Sequence, residues 1–127
     1  MVGKSTRCAK FRPVFKTRIR WYKIGASTDA IVASVPLNGV KGINVGGKNI
    51  CLVHTTEGLS AVRDKCPHQG VRLSKGGCAE DGKIVCAWHR YAFDLKTGRG
   101  AGLHVDVYPI EIRDDGVYLG MEYLSLF

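Results

Sequence analysis

Two short segments of the chain each contain one cysteine and one histidine in close succession. Cys66 and His68 are one residue apart, Cys86 and His89 are two residues apart, and seventeen residues lie between the two segments. A Cys-x-His spacing cannot place both side chains on one face of a helix, so the sequence predicts that they project from loops that follow strands. Two such loops, emerging side by side from a sheet, can hold one metal centre between them.

Two thiolates and two imidazoles fit two kinds of metal centre. One is a tetrahedral zinc site, and the other is a [2Fe-2S] cluster in which two histidines replace two cysteines on one iron. Common zinc modules pair cysteine with cysteine and histidine with histidine, whereas the two residue types alternate in this chain. The alternation favours the binuclear cluster, with one ligand from each loop to each iron, and leaves a zinc-stabilised binding module as the alternative.

The rest of the chain predicts an all-β fold. Val40–Val45 and Lys48–His54 flank a Gly46-Gly47 hairpin turn, and Asp106–Arg113 and Val117–Tyr123 flank a turn at residues 114–116. Shorter strands are predicted at Trp21–Ile24, Leu59–Arg63, Lys83–Val85 and Tyr91–Leu95. Loops are predicted at Ala26–Asn38, at 64–82 and at 86–90, and no long helix is expected.

In sequence, residues 66–73 (CPHQGVRL) and 86–94 (CAWHRYAFD) resemble the two cluster-binding loops of Rieske ferredoxins. The similarity extends over roughly residues 21–123. It implies an antiparallel β-sandwich or barrel with a small cluster-binding subdomain, and one [2Fe-2S] cluster as the cofactor. In this family the cysteines, here Cys66 and Cys86, hold the inner iron, and the histidines, here His68 and His89, hold the outer iron near solvent.

The resemblance also implies a function. The expected protein is a one-electron carrier that shuttles electrons from a reductase to a terminal oxygenase, a component of an oxidoreductase system with no substrate chemistry of its own. A small Rieske subunit of a nitrite-reductase-like or other oxidoreductase complex is the alternative within the same family. The expected partners are therefore redox proteins, and no nucleic acid is expected.

Departures from related sequences indicate the subtype. Val71 and Trp88 stand where respiratory Rieske proteins carry two disulfide-forming cysteines, and Phe93 replaces a tyrosine that reaches a ligand sulfur. With fewer hydrogen bonds to sulfur, a potential in the lower part of the roughly −150 to +300 mV Rieske span is predicted. Ala87 and Arg90 replace a usual proline and a usual glycine, so the backbone around Arg90 is expected to differ locally.

Positive charge is concentrated at the N-terminus. The formal net charge is +8, and residues 1–23 hold eight basic side chains and no acidic one, so the other 104 residues sum to zero. The sequence predicts a basic arm over residues 1–20 and a Rieske domain over residues 21–127. Two interpretations of the arm stay open, a solvated charge-rich tail and a segment that docks on acidic surfaces of a redox partner.

The chain shows no sign of export or membrane insertion. It lacks an apolar run of the length that spans a bilayer, and its N-terminus lacks the apolar stretch of a secretory signal. Its five cysteines have no disulfide-framework spacing. A soluble, cytoplasmic protein is therefore expected.

Overall fold

The computed structural model describes residues 15–68 and 70–126. Within them the chain forms twelve strands, which pair antiparallel throughout, and one short helix. In chain order the elements are β1 Phe15–Gly25, α1 Thr28–Val32, β2 Val40–Val45, β3 Lys48–Thr55, β4 Gly58–Arg63, β5 Cys78–Glu80, β6 Lys83–Val85, β7 Ala92–Asp94, β8 Arg99–Gly100, β9 Leu103–His104, β10 Val107–Tyr108, β11 Ile110–Arg113 and β12 Gly116–Leu126.

The strands form two larger sheets and a small subdomain. A central sheet has the order β10-β4-β3-β2, and a second sheet has the order β1-β12-β11. The small subdomain consists of the sheet β5-β6-β7, and the β8-β9 hairpin follows it along the chain. The all-β class predicted from the sequence is confirmed.

β3 is the strand that joins the two halves of the core, because it is buried on both faces. Alternate side chains of a strand point to opposite faces, and here Ile50 and Leu52 enter one core cluster while Cys51 and Val53 enter the other. The first cluster packs against the β1-β12-β11 sheet, and the second packs against the small subdomain. The central sheet is therefore covered on both sides, which explains the continuous apolar run in β3.

The first strand is longer than predicted. β1 begins at Phe15 rather than at Trp21, and residues 15–25 pair with β12. The part of the predicted arm from residue 15 to residue 20 thus belongs to a sheet, while residues 1–14 lie outside the described residues. The predicted loop over Ala26–Asn38 contains the five-residue helix α1, which begins after Ser27, whose hydroxyl accepts a hydrogen bond from the N–H of Ala30 at 3.1 Å.

The predicted strand Asp106–Arg113 is split at Pro109. β10, before the proline, pairs with β4, and β11, after it, pairs with β12. Proline has no N–H to donate to a ladder, which suits it to the point where the chain passes between sheets. The short strands β5, β8 and β9 were not predicted. No helix in the described part of the chain is long and apolar enough to cross a membrane.

Candidate metal centre

Two loops carry the four predicted ligands, and both are closed by the same backbone hydrogen bond. The N–H of Cys66 donates to the carbonyl of Val71 at 2.7 Å, and the N–H of Cys86 donates to the carbonyl of Tyr91 at 2.8 Å. Residues 66–71, after β4, are called the Cys66 loop, and residues 86–91, between β6 and β7, are called the Cys86 loop. Each loop thus begins at a cysteine and turns back after five residues.

The two cysteines lie beneath the surface at the tip of the second core cluster. Cys66 and Cys86 are each 1% exposed and pack among Leu73, Ile84 and Phe93. Burial raises the pKa of the Cys86 thiol, a hydrogen bond from the backbone of Trp88 lowers it, and the adjacent Cys66 thiol raises it again. The thiols of the two loops therefore meet in a water-poor environment, where a backbone N–H is available to a sulfur.

The two histidines lie at the surface beside each other. The ring centroids of His68 and His89 are 5.5 Å apart, the ring planes are nearly perpendicular at 87°, and both residues are exposed. The ring of Tyr91 lies 4.3 Å from that of His68 and so fixes one side of the pair. The structure thus brings all four predicted residues to one end of the subdomain, with two sulfurs below and two imidazoles above.

The four side chains are arranged as two pairs and not as the corners of one tetrahedron. Within residues 15–68 and 70–126, no three His, Cys, Asp or Glu side chains converge closely enough to hold a single metal ion. A zinc site needs three or four ligands within about 2.0–2.3 Å of one ion. A sulfur pair and a nitrogen pair instead fit a centre with two metal ions, in which each pair serves one of them.

A buried carboxylate fixes the segment that follows the Cys66 loop. Asp64 accepts hydrogen bonds from the Ser74 N–H at 2.7 Å and hydroxyl at 2.6 Å, and from the Arg72 Nε at 3.0 Å. Arg72 Nη2 lies 3.0 Å from the same carboxylate, whose side chain is fully buried. Sequence reasoning did not identify Asp64, because an aspartate two residues before a cysteine carries no motif by itself.

An exposed ion pair fixes the Cys86 loop. His89 and Arg90 both have left-handed backbones, with φ of 61° and 54°, a conformation that is uncommon for residues other than glycine. Arg90 Nη2 lies 2.7 Å from Glu80 Oε2, and the thiol of Cys78 donates to the same oxygen at 3.4 Å. The sequence signal for this contact was Arg90 itself, which stands where glycine is usual; its partner Glu80 was not predicted.

The remaining cysteines and histidines of the described residues lie outside the centre. Cys51 is fully buried in β3, and burial raises the pKa of its thiol to about 12. His54 Nδ1 lies 2.8 Å from the carbonyl of Val35. His104 lies on β9, with Nδ1 3.9 Å from Asp106. All four described cysteines are free thiols, and Cys8 falls outside the described residues.

Comparison with known proteins identifies the family. The model of the Rieske [2Fe-2S] domain matches residues 20–106. The ferredoxin component of the naphthalene 1,2-dioxygenase/salicylate 5-hydroxylase systems of a Ralstonia species is 33% identical over 97 residues, which are 73% of this chain and 92% of that protein. The ferredoxin component of the alkene monooxygenase system of Xanthobacter autotrophicus is 31% identical, over 64% of this chain and 69% of its own length.

A solved structure supports the same assignment. A chain from a complex of reduced oxygenase and oxidized ferredoxin in carbazole 1,9a-dioxygenase superposes with a TM-score of 0.63 at 25% sequence identity. The match covers 78% of this chain and 91% of the other. The alternation of cysteine and histidine, the paired geometry and these relatives agree: the chain belongs to the Rieske [2Fe-2S] domain family, as a Rieske-type ferredoxin whose cofactor is one [2Fe-2S] cluster.

Proposed function

We propose that this protein is a one-electron carrier that shuttles electrons from a reductase to a terminal oxygenase. We further propose that Cys66, His68, Cys86 and His89 hold its cluster. The observation that carries the proposal is the exposed histidine pair above a buried cysteine pair. A bound [2Fe-2S] cluster would supply reversible uptake of one electron, and a redox centre near the surface suits exchange with a partner protein.

The buried cysteines and the exposed histidines have different roles. The cysteines are buried among apolar side chains, which keep water from the sulfurs. The histidines lie at the surface, where the edge of their imidazole rings is the part of the site that a docking protein meets first. Imidazole is neutral where thiolate is charged, so two histidines lower the negative charge of the centre and raise its potential.

The relatives support a carrier rather than an enzyme. The Ralstonia and Xanthobacter proteins are named as ferredoxin components of oxygenase systems. Another relative, from Burkholderia cepacia, is named as the ferredoxin subunit of an anthranilate 1,2-dioxygenase and is 32% identical over 80% of this chain. They favour an oxygenase as the electron acceptor over the nitrite-reductase-like alternative.

A cytoplasmic location and the division into a basic arm (residues 1–20) and a Rieske domain (21–127) are also part of the proposal. The location is supported by Cys51 and Cys78, which lie outside the proposed ligand set and form no disulfide, since reduced cysteines are typical of the cytosol. The division is supported by the family match, which begins at residue 20, although residues 15–20 pair with β12 and so join the sheet of the domain.

Spectroscopy of the purified protein tests the proposal. We expect a coloured protein with about two iron ions and two inorganic sulfides per chain, and an electron paramagnetic resonance signal that appears on reduction by one electron. A colourless protein with stoichiometric zinc would refute the proposal. A midpoint potential well above zero would contradict the low-potential subtype inferred from Val71, Trp88 and Phe93.

Matched variants of one proposed cysteine ligand and one proposed histidine ligand test the assignment. Cys86→Ser and His68→Gln are expected to abolish iron incorporation or change the spectrum of the reduced protein. Cys78→Ser and His104→Gln remove the same side chains elsewhere in the described chain and should keep both the iron content and the spectrum. Equal behaviour of the two sets would contradict the assigned ligands.

A further inference from the structure

The surface beside the Cys66 loop carries an elongated groove. A cleft of about 410 Å³ runs from Lys48 past Arg63 and Lys65 to Arg72. A second cleft, of about 240 Å³, shares Arg63 and Lys65 with the first and continues to Pro67 of the Cys66 loop. Together the two clefts extend from Gly47 of the β2–β3 turn to Gly70 and Pro67 of the Cys66 loop, and they are called the cationic groove below.

The charges of the cationic groove are largely unneutralised. Among the described residues, Lys48, Arg63 and Lys65 have no carboxylate within 4.0 Å, and all three are exposed. Asp64, which also lines the groove, is buried and fully engaged by Arg72 and Ser74. The remaining carboxylate is Asp106, so three open cations face one open anion.

The opposite end of β3 has the opposite charge. Thr55, the last residue of β3, lines a cleft of about 220 Å³ together with three carboxylates and one lysine, at Glu57, Asp81, Asp94 and Lys96. Lys48, the first residue of β3, lines the cationic groove. An eight-residue strand spans roughly 23 Å. The clefts at the two ends of β3 therefore differ in charge, and the positive one lies next to the Cys66 loop.

We propose that the cationic groove docks an acidic segment of the redox partner protein; this inference rests on the proposed function. Lys65 and Pro67 flank Cys66, so a segment seated there holds the partner against the centre. The cations are spread along the groove instead of converging on one point, which fits a run of carboxylates better than a single small anion. The field of the positive end also orients the approaching partner and raises the association rate.

The proposal locates docking outside the basic arm. The groove is built from residues 47–108, whereas the arm was predicted over residues 1–20. The test therefore uses the full chain with its N-terminus unchanged. The groove variant is Arg63→Glu/Lys65→Glu, and the control is Lys41→Glu/Lys83→Glu, which makes the same change in net charge on exposed strand positions away from the groove.

Binding of a hexa-aspartate peptide, measured by titration calorimetry at roughly 10 mM ionic strength, is the first arm of the test. At this ionic strength the Debye length is roughly 30 Å, so screening is weak. We expect the groove variant to bind at least about fivefold more weakly than the control variant, and Arg63→Gln/Lys65→Gln to fall between them. Equal binding by groove and control variants would overturn the proposal. Binding of inorganic sulfate as tight as that of the peptide would reassign the groove to a small anion, and tighter binding of oligothymidylate would reassign it to nucleic acid.

Oxidation of the reduced protein by two small complexes of opposite charge is the second arm. We expect the groove variant to react about tenfold more slowly with ferricyanide and faster with hexaammineruthenium(III) at low salt, with both effects shrinking at high salt. The control variant should change each rate constant by less than about twofold. Iron content and the visible spectrum are recorded first. A chain without the cluster contradicts the proposed function. If the cluster is intact and the groove and control variants have the same rate constants of oxidation, only the docking groove is contradicted.

Discussion

The Cys66 loop and the Cys86 loop close with the same backbone hydrogen bond, yet different interactions hold them in place. Behind the Cys66 loop, the buried carboxylate of Asp64 accepts hydrogen bonds from Arg72 and Ser74. Among the described residues of this loop, the left-handed one is Gly70, with φ of 75°, for which that conformation carries no side-chain penalty. The Cys66 loop is therefore anchored in the core of the domain.

The Cys86 loop has no comparable anchor among the described residues. Its two consecutive left-handed residues, His89 and Arg90, both carry side chains, and the ion pair that holds Arg90 to Glu80 is exposed on both sides, at 67% and 50%. Exposed ion pairs are weak and are screened by salt. Substitutions at the anchor of the Cys66 loop should therefore destabilise the whole domain. Substitutions in the support of the Cys86 loop should instead lower only the stability of the metal centre.

The largest effect is expected from Asp64→Ala. The substitution removes the acceptor for Ser74 and Arg72, so the free energy of unfolding should fall by about 3 kcal/mol. The melting temperature, followed by circular dichroism, should drop by on the order of 10 °C. Asp64→Asn retains one carbonyl oxygen for the Ser74 N–H and should lose less. A melting temperature of Asp64→Ala within about 2 °C of the wild type would show that the buried carboxylate is not the anchor.

The second-largest effect is expected from Gly77→Ala, which tests whether the segments next to the two loops are coupled by close backbone packing. A Cβ on Gly77 would clash with the Leu73 carbonyl oxygen and lie 3.1 Å from that of Val85, the residue before Cys86. Gly77→Ala must shift backbone on one side or the other, and we expect a loss of about 1–3 kcal/mol in the free energy of unfolding together with faster loss of the visible absorbance of the cluster.

Gly82→Ala is the control for this substitution. Gly82 has open space around its Cα but a φ of +75°, so the alanine there introduces only left-handed backbone strain, about 1–2 kcal/mol. It lies in the turn between β5 and β6, away from both loops. If Gly82→Ala accelerates the loss of the absorbance as much as Gly77→Ala does, the close approach of the two segments is not what matters.

The sequence predicted the larger strands, and it singled out the four candidate ligands that the fold brings to one end of the subdomain, because both leave local signals. β2 has the predicted bounds and β3 differs by one residue, since alternation and the Gly46-Gly47 turn, with φ of 57° and 81°, define that hairpin. The spacing of cysteine and histidine identified the side chains that the fold brings together. These features are encoded within a few residues of one another.

What the sequence could not predict depends on contacts that only the fold creates. β8 and β9 have two residues each, too few for any periodicity. The hydrogen bond from the Ser74 N–H to Asp64 and the ion pair of Arg90 with Glu80 each join residues ten positions apart across a loop, and no pattern in the chain marks these partners. The supports of the candidate centre, unlike its predicted ligands, therefore had to be identified from the structure.

A smaller effect, confined to the Cys86 loop, is expected from Glu80→Gln. Without the ion pair the strained backbone at Arg90 loses its support, so the cluster absorbance should decay about two- to fivefold faster at unchanged melting temperature. Arg90→Gly removes the backbone strain and with it the need for the ion pair, so its cluster absorbance should decay no faster than that of the wild type. Adding Glu80→Gln to Arg90→Gly should leave this decay rate unchanged. Glu111→Gln, which breaks the exposed pair with Arg113 at 2.6 Å on another sheet, is the control and should leave the decay rate unchanged. Additive effects of the Glu80 and Arg90 substitutions would contradict the coupling.

The smallest effect is the pH dependence of the same pair. The hydrogen bond from Arg90, followed by that from Cys78, holds the pKa of Glu80 below its ordinary value. A carboxylate whose pKa is lower in the folded Cys86 loop than in the unfolded one stabilises the loop above its unfolded pKa of about 4.3, and this contribution is lost as the pH falls through the lower, folded value. The ratio of decay rates between Glu80→Gln and the wild type should therefore stay constant from about pH 8 to pH 5 and approach one in more acidic solution. Taking the ratio removes the titration of groups that both proteins share, so a ratio that already changes between pH 8 and pH 6 would mean that a group other than Glu80 controls the Cys86 loop.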